Sequence, residues 1–193
     1  MVPLERTHRR VERMTYRLVL GADMNMAGGK IEPADQQDRF AHIGALYLET
    51  LSLVERVHRR LLDVIKDEFD RRGRADINSI QALLLYNIGD QELSPGELRT
   101  RGYYLGSNVS YNLKKLVEMG FLVHHHSNFD RRSVRIRLTD KGREVHAVVD
   151  ALYLKHVRTV EQIGGISSGE FDALNKALHR LERFWTDQIS YRL

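Results

Sequence analysis

The stretch from Ser107 to Gly142 leaves the fewest folds open. It reads SNVSYNLKKLVEMG, FLVHHH, SNFDRR, SVRIRL and then, after Leu138, TDKG. Val109, Leu113, Leu116 and Val117 fall in one sector of about 100° at helical spacing, which predicts a helix with a single buried face, capped by Ser107 and stopped at Gly120. Apolar residues then alternate with polar ones, as in Val134, Ile136 and Leu138 against Arg135 and Arg137, which predicts two strands joined by a hairpin turn at Ser127–Arg132. Thr139 is placed to cap the next helix. Upstream, Asn78 to Ile88 reads as a helix with Ile80, Leu83, Leu84 and Ile88 inward, closed by Gly89 and Asp90. Ser94-Pro95-Gly96-Glu97 supplies the N-cap, first-turn proline and capping-box glutamate of a short helix. Gly102 and Gly106 bracket a turn holding Tyr103 and Tyr104. Helix, short helix, turn, helix and hairpin follow one another as in a helix-turn-helix with a wing appended.

Longer helices flank this centre. Residues 36–70 predict a helix about 50 Å long, ending at Arg71-Arg72-Gly73, with two apolar stripes. Phe40, Ile43, Tyr47, Leu51, Val54, Leu61, Ile65 and Phe69 form one, and Leu46, Leu53, Val57 and Val64 the other, so that the helix touches two neighbours. From about Gly169, Phe171, Leu174, Leu178, Leu181 and Trp185 repeat at the 3-4 spacing of a packed helix pair, behind a capping box of Ser167 and Glu170. Both stripes could bury in a monomeric core. Long terminal helices around so compact a centre favour a homodimer interface. The expected fold is mainly α with a small antiparallel β wing. It has a basic N-terminal extension at 1–34, a helical dimerisation region at 35–75 and 147–193, and a winged helix-turn-helix DNA-binding domain at 76–146. Arg9–Leu20 of the extension fits a helix on a partner subunit, a DNA-touching arm or a frayed end.

Charge narrows the function. The net charge is +4, but residues 94–146 hold ten basic against five acidic side chains, whereas 35–93 hold eight against eleven. Phosphate contacts are expected where the positive charge gathers, with a solvated basic face as the plainer alternative. No apolar run approaches the roughly 20 residues of a membrane span, and residues 1–34 lack a signal-peptide pattern, so no membrane partner and a cytoplasmic location are expected. The absence of cysteine removes disulfides and thiolate metal sites. Without a phosphate-binding glycine loop, a Gly-x-Ser-x-Gly elbow or a His-Glu-x-x-His helix, the chain does not read as an enzyme, and no cofactor is expected.

The residue types in 107–142 suit double-stranded DNA. Ser107, Asn108 and Tyr111 lie in the first turns of the helix, where base edges are reached, and Asn108 carries the donor and acceptor pair that reads adenine. Lys114 and Lys115 lie farther along and suit phosphates. Arg131 and Arg132 at the hairpin tip suit the narrow minor groove, with Asp130 placed to hold Arg132 extended and Arg135 beside them on the strand. A protein-interaction module is the rival reading, but the polar helix face argues for DNA. His124-His125-His126 invites a metal or a pH response. Alternation puts only His124 and His126 on one face, and no metal site is assigned.

The run Asp130-Arg131-Arg132 through Leu138-Thr139-Asp140-Lys141-Gly142 resembles the D-R-R and L-T-x-x-G wing signature of the MarR family of bacterial transcription regulators, over roughly residues 36–190. Asn78–Asp90 and Ser107–Leu116 look most similar to its LdtR-type subgroup, linked to L,D-transpeptidase and cell-wall genes. The resemblance implies a homodimer on a pseudo-palindromic operator, usually repressing, with a small phenolic or other effector weakening DNA binding. It implies helix contacts at Ser107, Asn108, Tyr111 and Lys115, and wing contacts at Arg131 and Arg132. In this architecture a ligand cleft is expected between the long helix, the Asn78 helix and the helix after the wing, with His42, Tyr47, Leu84 and Tyr86 as candidate liners and core or dimer packing as the favoured alternative for each.

Overall fold

The computed structural model describes residues 33–100, 106–126 and 134–191. The turn with Tyr103 and Tyr104, the wing tip with Asp130, Arg131 and Arg132, and the extension before Pro33 lie outside them. The described elements are α1 (Pro33–Arg71), α2 (Ser79–Ile88), α3 (Pro95–Thr100), α4 (Gly106–Glu118), β1 (Leu122–His126), β2 (Val134–Leu138), α5 (Asp140–Gly164) and α6 (Ser168–Tyr191). This is the expected mainly α fold with one two-stranded antiparallel sheet.

The chain forms two compact units, one ending at Leu61 and the other running from Leu62 to Leu193. In the first, α1 begins at Pro33, where proline's fixed φ and missing N–H suit a first helical turn. Both stripes on this part of α1 are open to solvent in the single chain: Phe40, Ile43, Leu46, Leu53, Val54 and Val57 are all exposed.

The second unit holds the core. α2 packs along α5, and α4 lies against β1. Ile65 and Phe69 at the end of α1, Leu84, Leu85 and Ile88 of α2, Leu98 of α3, Leu116 of α4, Phe121, Ile136, and Val145 and Val149 of α5 are all buried. At about 1.5–3 kcal/mol for each fully buried large apolar side chain, this cluster is the main favourable term for the unit.

The inward face of α2 differs from expectation. Leu83, Leu84 and Ile88 are buried, but Ile80 is exposed, and Gln81, Ala82 and Leu85 take inward positions instead. The helix is apolar nearly all round, so periodicity cannot choose its face. A capping box does: Asn78 Oδ1 accepts the Gln81 N–H at 2.9 Å, and the Gln81 side chain accepts the Asn78 N–H at 3.2 Å, turning Gln81 inward. The boxes at Ser94/Glu97 and Ser167/Glu170 form as expected.

Candidate nucleic-acid interface

α4 begins at Gly106, one residue before the expected cap, so Ser107 and Asn108 both lie in its first turn. Leu113 and Leu116 fix the helix to the core, and Val117 is half-buried. The opposite side carries Tyr111, 62% exposed, with Lys114 and Lys115 also exposed. Glu118 lies 3.2 Å from Lys115 Nζ and 3.9 Å from Lys114 Nζ. This pairing holds the Lys115 ammonium above its ordinary pKa, first through the hydrogen bond to Glu118 and then through its charge. Lys115 therefore stays cationic at neutral pH.

The C-terminal end of α4 is clamped by the Leu138–Gly142 run. Gly120 takes φ +75°, a left-handed turn that glycine adopts without strain, and the Phe121 N–H returns to Leu116 O at 2.8 Å. The Thr139 hydroxyl lies 2.7 Å from Gly120 O and accepts the Gly142 N–H at 3.1 Å, while the Thr139 N–H donates to Phe121 O at 3.1 Å. Lys141 Nζ donates to Met119 O at 3.1 Å and sits 4.1 Å above the Phe121 ring. A Cβ on Gly142 would fall 2.2 Å from Phe121 O, so the approach of α5 to the end of α4 requires glycine there. Threonine as cap and glycine three residues later are thus explained by the joint they make.

Strand pairing sorts the wing base. Leu122 stands opposite Leu138, His124 opposite Ile136, and His125 opposite Arg135. Ile136 and Leu138 are buried and Arg137 is exposed, as the alternation predicts. Arg135, another of the expected DNA contacts, also has partners within the protein. Its Nη1 donates to Glu97 Oε2 at 2.8 Å and to Glu92 O at 3.3 Å, so this guanidinium is already engaged within the protein. His125 has an acidic partner, its Nε2 donating to Glu92 at 3.0 Å.

The expected ligand liners are not equivalent. Leu84 is completely buried, on the helix that packs along α5. Tyr86 stacks on His146 with ring centroids 5.1 Å apart and meets Tyr153 edge-on at 4.8 Å, while burial followed by the nearby Tyr86 raises the Tyr153 phenol's pKa. His42 and Tyr47 lie on α1 in the first unit and are exposed. A different cleft, of about 300 Å³, opens between α4 and the sheet, lined by Leu113, Lys114, Val117, His124 and Ile136 among others.

Sequence reasoning missed four features of this region. The Asn78/Gln81 capping box had a readable signal, Asn followed three residues later by Gln. The Glu97–Arg135, Glu92–His125 and Lys141–Phe121 contacts join distant segments and had none.

Known proteins agree with this architecture. A family profile described as a winged helix DNA-binding domain matches residues 77–142. The chain is 35% identical over 178 residues to the exopolysaccharide II synthesis transcriptional activator ExpG of Rhizobium meliloti, covering 90% of this chain and 88% of that protein. Among solved structures it resembles the transcriptional regulator SlyA, with a TM-score of 0.62 and 18% identity over 75% of this chain and 99% of that one. It also resembles FabT of Streptococcus pneumoniae, solved with DNA, at a TM-score of 0.55 and 24% identity over 73% of this chain and 98% of that one. The chain belongs to the MarR family of winged helix DNA-binding transcriptional regulators.

Proposed function

We propose that two copies of the chain bind a pseudo-palindromic operator, each laying α4 in the major groove and the 127–133 wing in the adjacent minor groove. The observation that carries this reading is α4 itself, anchored through Leu113 and Leu116 while Tyr111, Lys114 and Lys115 face outward. Ser107, Asn108 and Tyr111 read bases, Lys114 and Lys115 neutralise phosphates, and Arg131 and Arg132 enter the minor groove with Asp130 orienting Arg132. Dimerisation is supported by α6, a 24-residue helix none of whose residues is buried although Leu174, Leu178, Phe184 and Ile189 lie along it. In this reading residues 35–75 and 147–193 hold the dimer and 76–146 hold the DNA, as in the domain division above.

The similarity to ExpG, together with the cell-wall link of the resembling subgroup, points to genes of the cell envelope as targets, exopolysaccharide synthesis first. Repression is the sign implied by the family. The name of ExpG favours activation as the second reading, and a reporter fused to the operator, with the protein present and absent, decides between them. A small-molecule effector completes the proposal, and the cleft between α4 and the sheet offers it a seat against the DNA-facing helix.

The test is binding of the purified protein to fragments upstream of its own gene. Arg132→Ala should weaken operator binding by about 1–3 kcal/mol and leave the dimer intact. Unchanged affinity would refute the wing assignment.

A further inference from the structure

We infer that Glu97 and Arg135, reinforced by Glu92 and His125, form a clasp that aims the wing, so that an acidic residue on the DNA-binding half strengthens operator recognition. The inference rests on the DNA-binding reading and concerns how the wing is held.

β2 is gripped at one point from the helix-turn-helix side. Ile136 N–H donates to Leu93 O at 2.8 Å, and the Leu93 N–H donates to Ile136 O at 3.1 Å. Leu93 immediately precedes Ser94, whose hydroxyl accepts the Glu97 N–H at the start of α3. Glu97 Oε2 accepts the Ser94 N–H at 2.7 Å and the Arg135 guanidinium at 2.8 Å, so one carboxylate oxygen both caps α3 and holds β2. Across the ladder from Arg135 stands His125, bonded to Glu92, whose own carbonyl oxygen also accepts from Arg135. Two acidic residues flanking the α3 start therefore hold both strands at one rung, one rung short of the last pair before the tip. Holding that rung constrains the direction of both strands as they run toward the wing.

A single exposed ion pair would contribute little. Here the pair shares its rung with the His125–Glu92 contact and sits beside a backbone bridge, and it need only bias an orientation. A wing aimed in advance spares DNA binding the cost of selecting that orientation. Arg135 is thus a positioning residue.

Glu97→Gln supplies a test whose sign is diagnostic. Glutamine preserves a capping box, so α3 keeps its start and the thermal unfolding midpoint stays close to wild type. Removing a negative charge near DNA should by long-range electrostatics tighten binding. The clasp requires the opposite: affinity for the duplex that the wild-type protein selects from a random-sequence pool falls about two- to fivefold, while affinity for a scrambled duplex is unchanged or rises. Arg135→Ala should lower affinity for the selected duplex without reducing the salt slope of binding, because no phosphate contact is lost. The double variant should be no weaker than Arg135→Ala, and Arg135→Lys should recover part of the loss.

Wild-type or tighter binding of the selected duplex by Glu97→Gln overturns the inference. So does a fall of about one in the salt slope of Arg135→Ala, the mark of a lost phosphate contact, or independent losses that multiply in the double variant. Amide hydrogen exchange in β1 and β2, faster in Glu97→Gln than in wild type, reports the clasp without DNA. Unchanged exchange refutes it, whereas failure of the wild-type protein to select any duplex counts against the operator reading alone.

Discussion

α4 and α6 are both amphipathic helices with regularly spaced leucines, yet they end in opposite circumstances. α4 places Leu113 and Leu116 in the core, whereas no residue of α6 is buried in the single chain. Periodicity states that a face must be covered and says nothing of what covers it. Around α4 the cover comes from the same unit, which packs β1 and α3 against it. For α6 we propose a second protomer, since isolated helices draw most of their stability from packing an apolar face.

The largest effect that would sharpen this contrast comes from the core. Leu116→Ala should cost about 2–5 kcal/mol, measured by urea unfolding. A loss that Leu116→Ala also shows as dissociation at low protein concentration would mean that the two regions are not separable. Leu178→Asp should act the other way, shifting sedimentation toward monomer while the 76–146 region keeps its far-ultraviolet signature.

A smaller effect is expected at the joint between α4 and α5. Gly142→Ala should destabilise by about 1–3 kcal/mol, because its Cβ can be admitted only by moving the Phe121 carbonyl or α5 away. A melting temperature equal to that of wild type would show that the joint yields freely.

The smallest effect compares the two capping boxes under acid. Glu97 is held below its usual carboxylate range by the Ser94 N–H and hydroxyl, and more weakly by Arg135; Glu170 is held there by the Ser167 hydroxyl and N–H. A lowered folded-state pKa means stability that is fully present above the ordinary carboxylate value and lost as pH falls through the folded value. Glu170→Gln should therefore flatten the acid-side decline in melting temperature relative to wild type. An unchanged slope would remove α6 capping as a source of acid sensitivity.

Legibility in the sequence tracked the range of the interaction. The capping boxes at Ser94 and Ser167, the stop at Gly120 and the strand alternation at 134–138 are settled within a few residues, and each appears where its local chemistry places it. The face of α2 was not legible, because Leu83, Leu84 and Leu85 in a row leave no polar side to subtract. Nor was the fate of Arg135. Alternation correctly turned it away from Ile136, but its partner lies 38 residues upstream on α3, and no spacing rule reaches that far. Leu84, by contrast, is buried as its inward position in the sequence reading predicts.

The Leu93–Ile136 bridge also bears on how copies of the protein meet at high concentration. A two-stranded ribbon normally leaves two strand edges able to recruit a strand from elsewhere, the first step of sheet-mediated aggregation. At Ile136 both main-chain groups facing away from β1 are already taken by Leu93. β2 is therefore closed to strand addition at Ile136, and the hairpin does not offer that stretch of edge to another copy of itself.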